Sequence, residues 1–185
     1  MTAAVGSARS AVETITGGAI KEAARSRFAI GDQVVHPQHG VGHIVKMENR
    51  EFERGTSRTY YEIHIPSGTV WVPVDLSNSG LRRLAQKRDI ARCREILKAH
   101  PLPLTEDGRL RQSSLVEHLR RGTIAAQCEV VRDLNAFVAH KPAYGTITGF
   151  LESMVRVLCQ EWALVEEISI PEASSEIYAL LEKPK

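Results

Sequence analysis

The apolar residues of this chain change their period once. Up to about Asp75 the pattern is one of alternation broken by turn residues, and past Gly80 apolar positions recur three and four apart. A strand turns alternate side chains to one face, whereas a helix gathers i, i+3, i+4 and i+7, so one switch of period predicts a β part followed by an α part. Strands are expected near 33–36, 43–52, 58–65 and 69–74, with turns at Arg54-Gly55-Thr56 and Pro66-Ser67-Gly68 separating the last three. In the third, Tyr61, Ile63 and Ile65 alternate with Tyr60, Glu62 and His64, the pattern of a half-buried strand. In the fourth, Val70, Val72 and Val74 leave Trp71 on the opposite face, and Pro73, which has no N–H to give, marks a sheet edge or strand end.

The helical part divides at its prolines and glycines. A first helix carries Ile90, Cys93 and Ile96-Leu97 and must stop before Pro101. A second carries Leu115, Val116 and Leu119 and ends at Gly122 as a C′ glycine, after which Thr123 can cap a third bearing Ile124, Cys128, Val131, Leu134 and Val138. A fourth holds the longest apolar stripe, from Ile147 through Phe150-Leu151, Met154, Val157-Leu158 and Trp162 to Val165. Ser169-Ile170-Pro171-Glu172 has capping-box spacing and opens a short last helix with Ile177 and Leu180-Leu181. With 185 residues, 43% hydrophobic and 25% charged, the chain suffices for two small cores. The expected organisation is a mobile tail over 1–27, poor in large apolar residues, a β domain over 28–79, and an all-α domain over 80–185.

Several function classes find no support in the residues. There is no G-x-G-x-x-G and no G-x-x-x-x-G-K-[ST], hence no nucleotide loop, and no Ser-His-Asp or Cys-His arrangement stands out. His36, His39 and His43 lie close together, but no cysteine or paired carboxylate nearby completes a metal shell, so no metal, cofactor or small-molecule substrate is expected. Cys93, Cys128 and Cys159 are odd in number and sit in apolar helical patterns, which reads as structural thiols in a reducing, cytoplasmic setting. No stretch approaches the roughly 18 apolar residues of a membrane span, and Met1 to Arg25 lacks the apolar run of an export signal.

The net charge of +2 hides a basic middle. Lys and Arg against Asp and Glu number 8 and 8 over 1–79, 12 and 6 over 80–132, and 4 and 8 over 133–185. An excess of this kind suits either phosphate contact through counterion release or a solvated helix surface.

Three blocks carry a family resemblance: the opening from Phe28 to Gly42, the strand Val70-Trp71-Val72-Pro73, and Cys128-Glu129-Val130-Val131-Arg132-Asp133-Leu134. Together they resemble CarD-type transcription regulators, whose amino-terminal domain is shared with transcription-repair coupling translocases. The resemblance implies an α+β protein in which a small Tudor/SH3-like β-barrel docks on the β subunit of bacterial RNA polymerase and an all-α domain touches promoter DNA at the edge of the transcription bubble. On that mapping Arg50 falls where relatives place a polymerase-contacting arginine, Trp71 replaces a second one, and Pro73 ends the docking strand. Relatives insert a tryptophan into the minor groove at a position that here falls on Gly108. Leu110 between Arg109 and Arg111 is then the candidate wedge, and Arg109, Arg111, Arg120 and Arg121 are candidate phosphate contacts. The implied function is a non-enzymatic regulator of open-complex stability. The alternative is an RNA polymerase-binding adaptor without DNA wedging.

Overall fold

The computed structural model describes residues 27–53, 56–75, 80–140 and 145–182, so the expected tail, apart from Arg27, and part of the turn at 54–56 lie outside the described residues. The first half forms a five-stranded antiparallel sheet. β1 (Gln33–His36), β2 (Gly40–Glu53), β3 (Thr56–Ile65), β4 (Gly68–Pro73) and β5 (Arg82–Arg83) lie in the order β4-β3-β2-β1-β5. The four expected strands are present. β5 was not foreseen: two arginines after a turn carry no alternation to read, and pairing of Val34 with Arg83 and Val35 with Arg82 makes them a strand.

One irregularity decides which residues the sheet presents. Ile44 faces inward opposite Ile63, and strict alternation would turn Lys46 and Glu48 inward after it. A bulge between Ile44 and Lys46 shifts the register by one, so Met47 pairs with Tyr61 on the core side and Lys46, Glu48 and Arg50 turn outward. The inner face closes on Phe28, Val34, Ile44, Tyr61, Ile63, Val72, Val74 and Leu81. Phe28 meets Tyr61 edge to face at 5.9 Å between ring centres, and its N–H donates to the Tyr61 hydroxyl at 3.2 Å, so the buried phenol keeps a partner. Of the two glycines in the loop between β1 and β2, Gly40 has φ +84° and packs against Gln160, whereas Gly42 is needed for space: a Cβ there would come within 2.7 Å of the His64 carbonyl oxygen.

The second half is helical: α1 (Lys87–Lys98), α2 (Gly108–Leu119), α3 (Ile124–His140), α4 (Gly145–Glu166) and α5 (Ile170–Leu181). Gly122 has φ +60°, as a residue beyond a helix end does, and Thr123 Oγ1 accepts the Ala126 N–H at 3.2 Å as the expected cap of α3. Ser169 and Glu172 complete the capping box of α5. Ile90, Cys93, Leu97, Cys128, Val131, Leu134, Leu158, Trp162 and Ile177 form the core. Burial pushes the Cys128 thiol up, reinforced by Cys93 beside it, so it stays protonated and unreactive. Two expected core positions lie outside: Val116 is 45% exposed and Phe150 37% exposed. α2 buries only Arg111 and Leu115, so its apolar residues are spread around its girth and half of them meet solvent. Among the described residues no helix is long and apolar enough to cross a membrane.

The two halves are joined through a buried ion pair. Arg82 on β5 reaches into the helices, where Nη1 and Nη2 donate to the two carboxylate oxygens of Glu161 at 2.5 Å, and Nη2 also donates to Gln127 Oε1 at 2.9 Å. Ala85 N–H donates to Glu161 Oε1 at 2.8 Å, and Gln127 Nε2 donates to the Met154 carbonyl at 2.9 Å. Glu161 is fully buried and Arg82 is 7% exposed, so each charge depends on the other for its lost hydration.

Candidate functional site

The outer face of β2, β3 and β4 gathers the first set of candidates. Lys46 stands opposite Glu62, Glu48 opposite Tyr60 and Arg50 opposite Arg58, while β4 adds Trp71 beside Glu62 and Pro73 beside Tyr60. Arg50 reaches across β3 and lays its guanidinium 3.2 Å from the centre of the Trp71 ring. Glu48 holds it there, accepting from Arg50 Nε at 2.7 Å, and its other oxygen pairs with Lys46. Hydrogen bonds from Lys46 and then Arg50 hold the Glu48 carboxyl below the usual carboxylate range, and Glu48 in turn raises Lys46. The result is a preset aromatic and cationic surface on β4, the edge strand, which has no further strand partner among the described residues. Pro73 ends β4, as its missing N–H requires. A free edge can add an incoming strand by main-chain hydrogen bonds, with Trp71 as an anchor alongside.

The histidines near the sheet fall in two ring pairs. His36 and His39 rings lie 4.6 Å apart and His43 meets His64 at 5.7 Å. Among the described residues no three His, Cys, Asp or Glu side chains are placed to hold a metal. Burial, and then the neighbouring His39, lowers His36 to about 4, so it is neutral at physiological pH.

The second set lies on α2 and the turn after it. Asp107 caps α2, its Oδ1 accepting the N–H groups of Arg109 and Leu110 at 2.9 Å each. Leu110 is 64% exposed, and Arg109 is exposed beside it. Arg109 and Arg120 line one shallow groove along the helix with Val116 between them. Arg120 pairs with Glu117 at 3.0 Å, and Arg121 reaches Glu129 at 3.4 Å, so both are exposed but lightly held.

Arg111 is placed differently from its neighbours. It is 8% exposed, donates through Nη1 to the Thr105 and Glu106 carbonyls at 2.8 and 3.1 Å, and lies 4.6 Å over the Phe137 ring. Its guanidinium fixes the loop before α2 rather than facing outward with Arg109. Alternating Arg-Leu-Arg in a sequence does not reveal this, because only the position of Phe137 on α3 provides the inward site. Sequence reasoning also missed the Arg82, Gln127 and Glu161 network, since its members lie 79 residues apart at the widest.

The fold and these surfaces define an α+β protein with a small antiparallel sheet offering an aromatic-cationic edge, tied to a helical unit with a basic exposed helix. Residues 28–85, the sheet and the segment leading into the helices, match the family model described as the CarD-like/TRCF RID domain. The chain is similar, at 26% identity over 147 residues, to YdeB of Bacillus subtilis (strain 168), whose name calls it a transcription factor provisionally. That match covers 77% of this chain and 94% of YdeB, so it runs well beyond the sheet domain into the helices.

Proposed function

We propose that this chain is a non-enzymatic, cytoplasmic transcription regulator that docks on the β subunit of bacterial RNA polymerase and modulates the stability of promoter open complexes. The sheet, closing as a Tudor-like barrel, supplies the docking surface through the β4 edge with Arg50, Trp71 and Pro73. The observation that carries this reading is the Arg50 guanidinium stacked on Trp71 beside an edge strand. Such an edge gives a partner strand its main-chain bonds, while a rigid aromatic anchor costs little conformational entropy on binding. The CarD-like/TRCF RID match over this same segment and the transcription-factor name of the Bacillus relative support the setting.

The helical unit meets promoter DNA at the edge of the bubble. Arg109, Arg120 and Arg121 contact phosphates, Leu110 takes the place of an aromatic wedge, and Arg111 holds the loop that aims them. A leucine can unstack a base step, but without aromatic stacking it forgoes roughly 1–3 kcal/mol, so DNA contact is chiefly electrostatic.

A second reading, an adaptor that docks a further protein through α2, is favoured by the exposure of Leu110 and Val116 on a helix whose arginines are partly paired. Open-complex lifetime with RNA polymerase alone, with this protein, and with Trp71→Ala or Leu110→Ala separates the two. Longer lifetimes lost in both variants support the regulator. Polymerase binding lost in Trp71→Ala, with lifetimes never altered and no gain in binding on adding DNA, supports the adaptor.

A further inference from the structure

A cleft of about 500 Å³ lies where β5 meets the start of α1 and the turn leading into α3. Arginines reach it from four parts of the chain: Arg27 before the sheet, Arg83 on β5, Arg92 on α1 and Arg121 after α2. Arg82 also lines it but is neutralised by Glu161. The carboxylates in the lining are Asp89, which accepts the Gln86 N–H at 2.9 Å, and Glu129, which faces His118 at 2.5 Å and Arg121 at 3.4 Å. Arg83 has Asp32 at 3.2 Å, outside the lining, while Arg27 and Arg92 form no ion pair with a described residue.

Two of these cations, Arg27 and Arg83, are held together rather than spread by repulsion. The Arg27 and Arg83 guanidiniums lie 5.7 and 5.5 Å from the centre of the same Phe28 ring, and Arg83 Nη2 donates to the Arg27 carbonyl at 3.2 Å. Thr123, which caps the 17-residue helix α3, and Ile124 to Ala126 of its first turn form the opposite wall. Thr123 Oγ1 takes the Ala126 N–H, and the earlier amides of that turn have no intrahelical acceptor. Like charges gathered around a cleft of this size repel one another, and an anion with several oxygens relieves that repulsion while accepting forked guanidinium bonds.

We infer that this cleft binds phosphate groups, as adjacent phosphates of a nucleic-acid backbone or of a soluble polyphosphate. It is separate from the Arg109 and Arg120 groove on α2, sharing with the proposed DNA contacts only Arg121, and stands whether or not that groove meets DNA. Arg92 is the group to remove, being exposed and outside every ion pair among the described residues, so its loss leaves the core intact.

The test uses the full chain with pyrophosphate and, separately, a 20-base-pair duplex of mixed sequence, comparing wild type, Arg92→Ala, Arg92→Glu and Arg109→Ala/Arg120→Ala. Wild type should bind at least one probe, with roughly tenfold weaker binding in Arg92→Ala and none in Arg92→Glu at unchanged melting temperature. Duplex affinity should lose about one unit of salt slope per arginine removed. Competition between pyrophosphate and duplex in Arg109→Ala/Arg120→Ala assigns the cleft to the backbone, and pyrophosphate binding without duplex binding in that variant assigns it to a soluble ligand. Failure of wild type to bind either probe, or unaltered binding in both Arg92 variants, overturns the inference. Loss confined to Arg109→Ala/Arg120→Ala overturns it too, while leaving the α2 surface as the DNA contact.

Discussion

Removing the Arg82 side chain tests whether the two halves are held as one body by charge. Glu161 has no exposed surface, and Arg82 supplies a donor to each of its oxygens, leaving Ala85 N–H as the other donor seen. Arg82→Met therefore strands a buried carboxylate and also takes a donor from Gln127. Breaking a buried pair from one side costs about 3–5 kcal/mol. At about 2–4 °C per kcal/mol for a chain of this length, the melting temperature should fall by roughly 6–20 °C. Arg82→Met/Glu161→Leu removes both charges, and what is then missing are the hydrogen bonds to Gln127 and Ala85 and a long one from Arg82 to the Arg83 carbonyl at 3.5 Å. These are worth about 1–3 kcal/mol, so the double variant should recover about half of the loss. Urea unfolding followed by tryptophan fluorescence suits the measurement, because Trp71 reports the sheet and Trp162 the helical core. Separate transitions for Trp71 and Trp162 in Arg82→Met, against one in the wild type, would show that the pair couples the halves. A cost below about 1 kcal/mol for Arg82→Met, or a double variant worse than the two singles added, would refute the reasoning.

Arg50→Ala should weaken polymerase binding about tenfold or more while lowering the melting temperature by less than about 4 °C, since a partly exposed cation-π contact contributes about 0.5–1 kcal/mol to the fold; pull-down and calorimetry read the two effects. Arg111→Ala should destabilise by about 1–3 kcal/mol, as the Thr105 and Glu106 carbonyls lose their donor, whereas Arg109→Ala should leave urea unfolding unchanged. Leu110→Ala, at a position largely in solvent, should alter unfolding by less than about 0.5 kcal/mol and shorten open-complex lifetime in a promoter assay. His36 is held neutral by burial, with a folded value of about 4 against 6.5 ordinarily. The unfolded chain therefore binds more protons between those values, and stability present above about pH 6.5 is lost as pH falls towards 4. Thermal melts across that range should show the slope in wild type and a shallower one in His36→Asn.

The order of elements was legible in the amino-acid sequence because period, caps and breakers act locally. Alternation around Tyr61 and Val72, the proline at the end of β4, the glycine after α2 and the capping box at Ser169 each report a backbone preference within a few residues. The burial of Trp162 and of all three cysteines followed from the same patterns. What the tertiary structure decided were matters of one-residue register and of distant partners. The bulge after Ile44 turns Arg50 to the face of Trp71, where unbroken alternation would have put it on the other side. Arg109 and Arg111 stand two apart in the chain, yet one faces solvent and the other lies against the Phe137 ring, because neighbours on another helix choose which guanidinium is enclosed. Arg82 and Arg83 share a two-residue strand with the same chemistry, and strand alternation sends one to Glu161 and leaves the other at the basic cleft. Local preferences set which segments become strands and helices. Where a charged side chain spends its hydrogen bonds depends on groups that only folding brings within 3 Å or so.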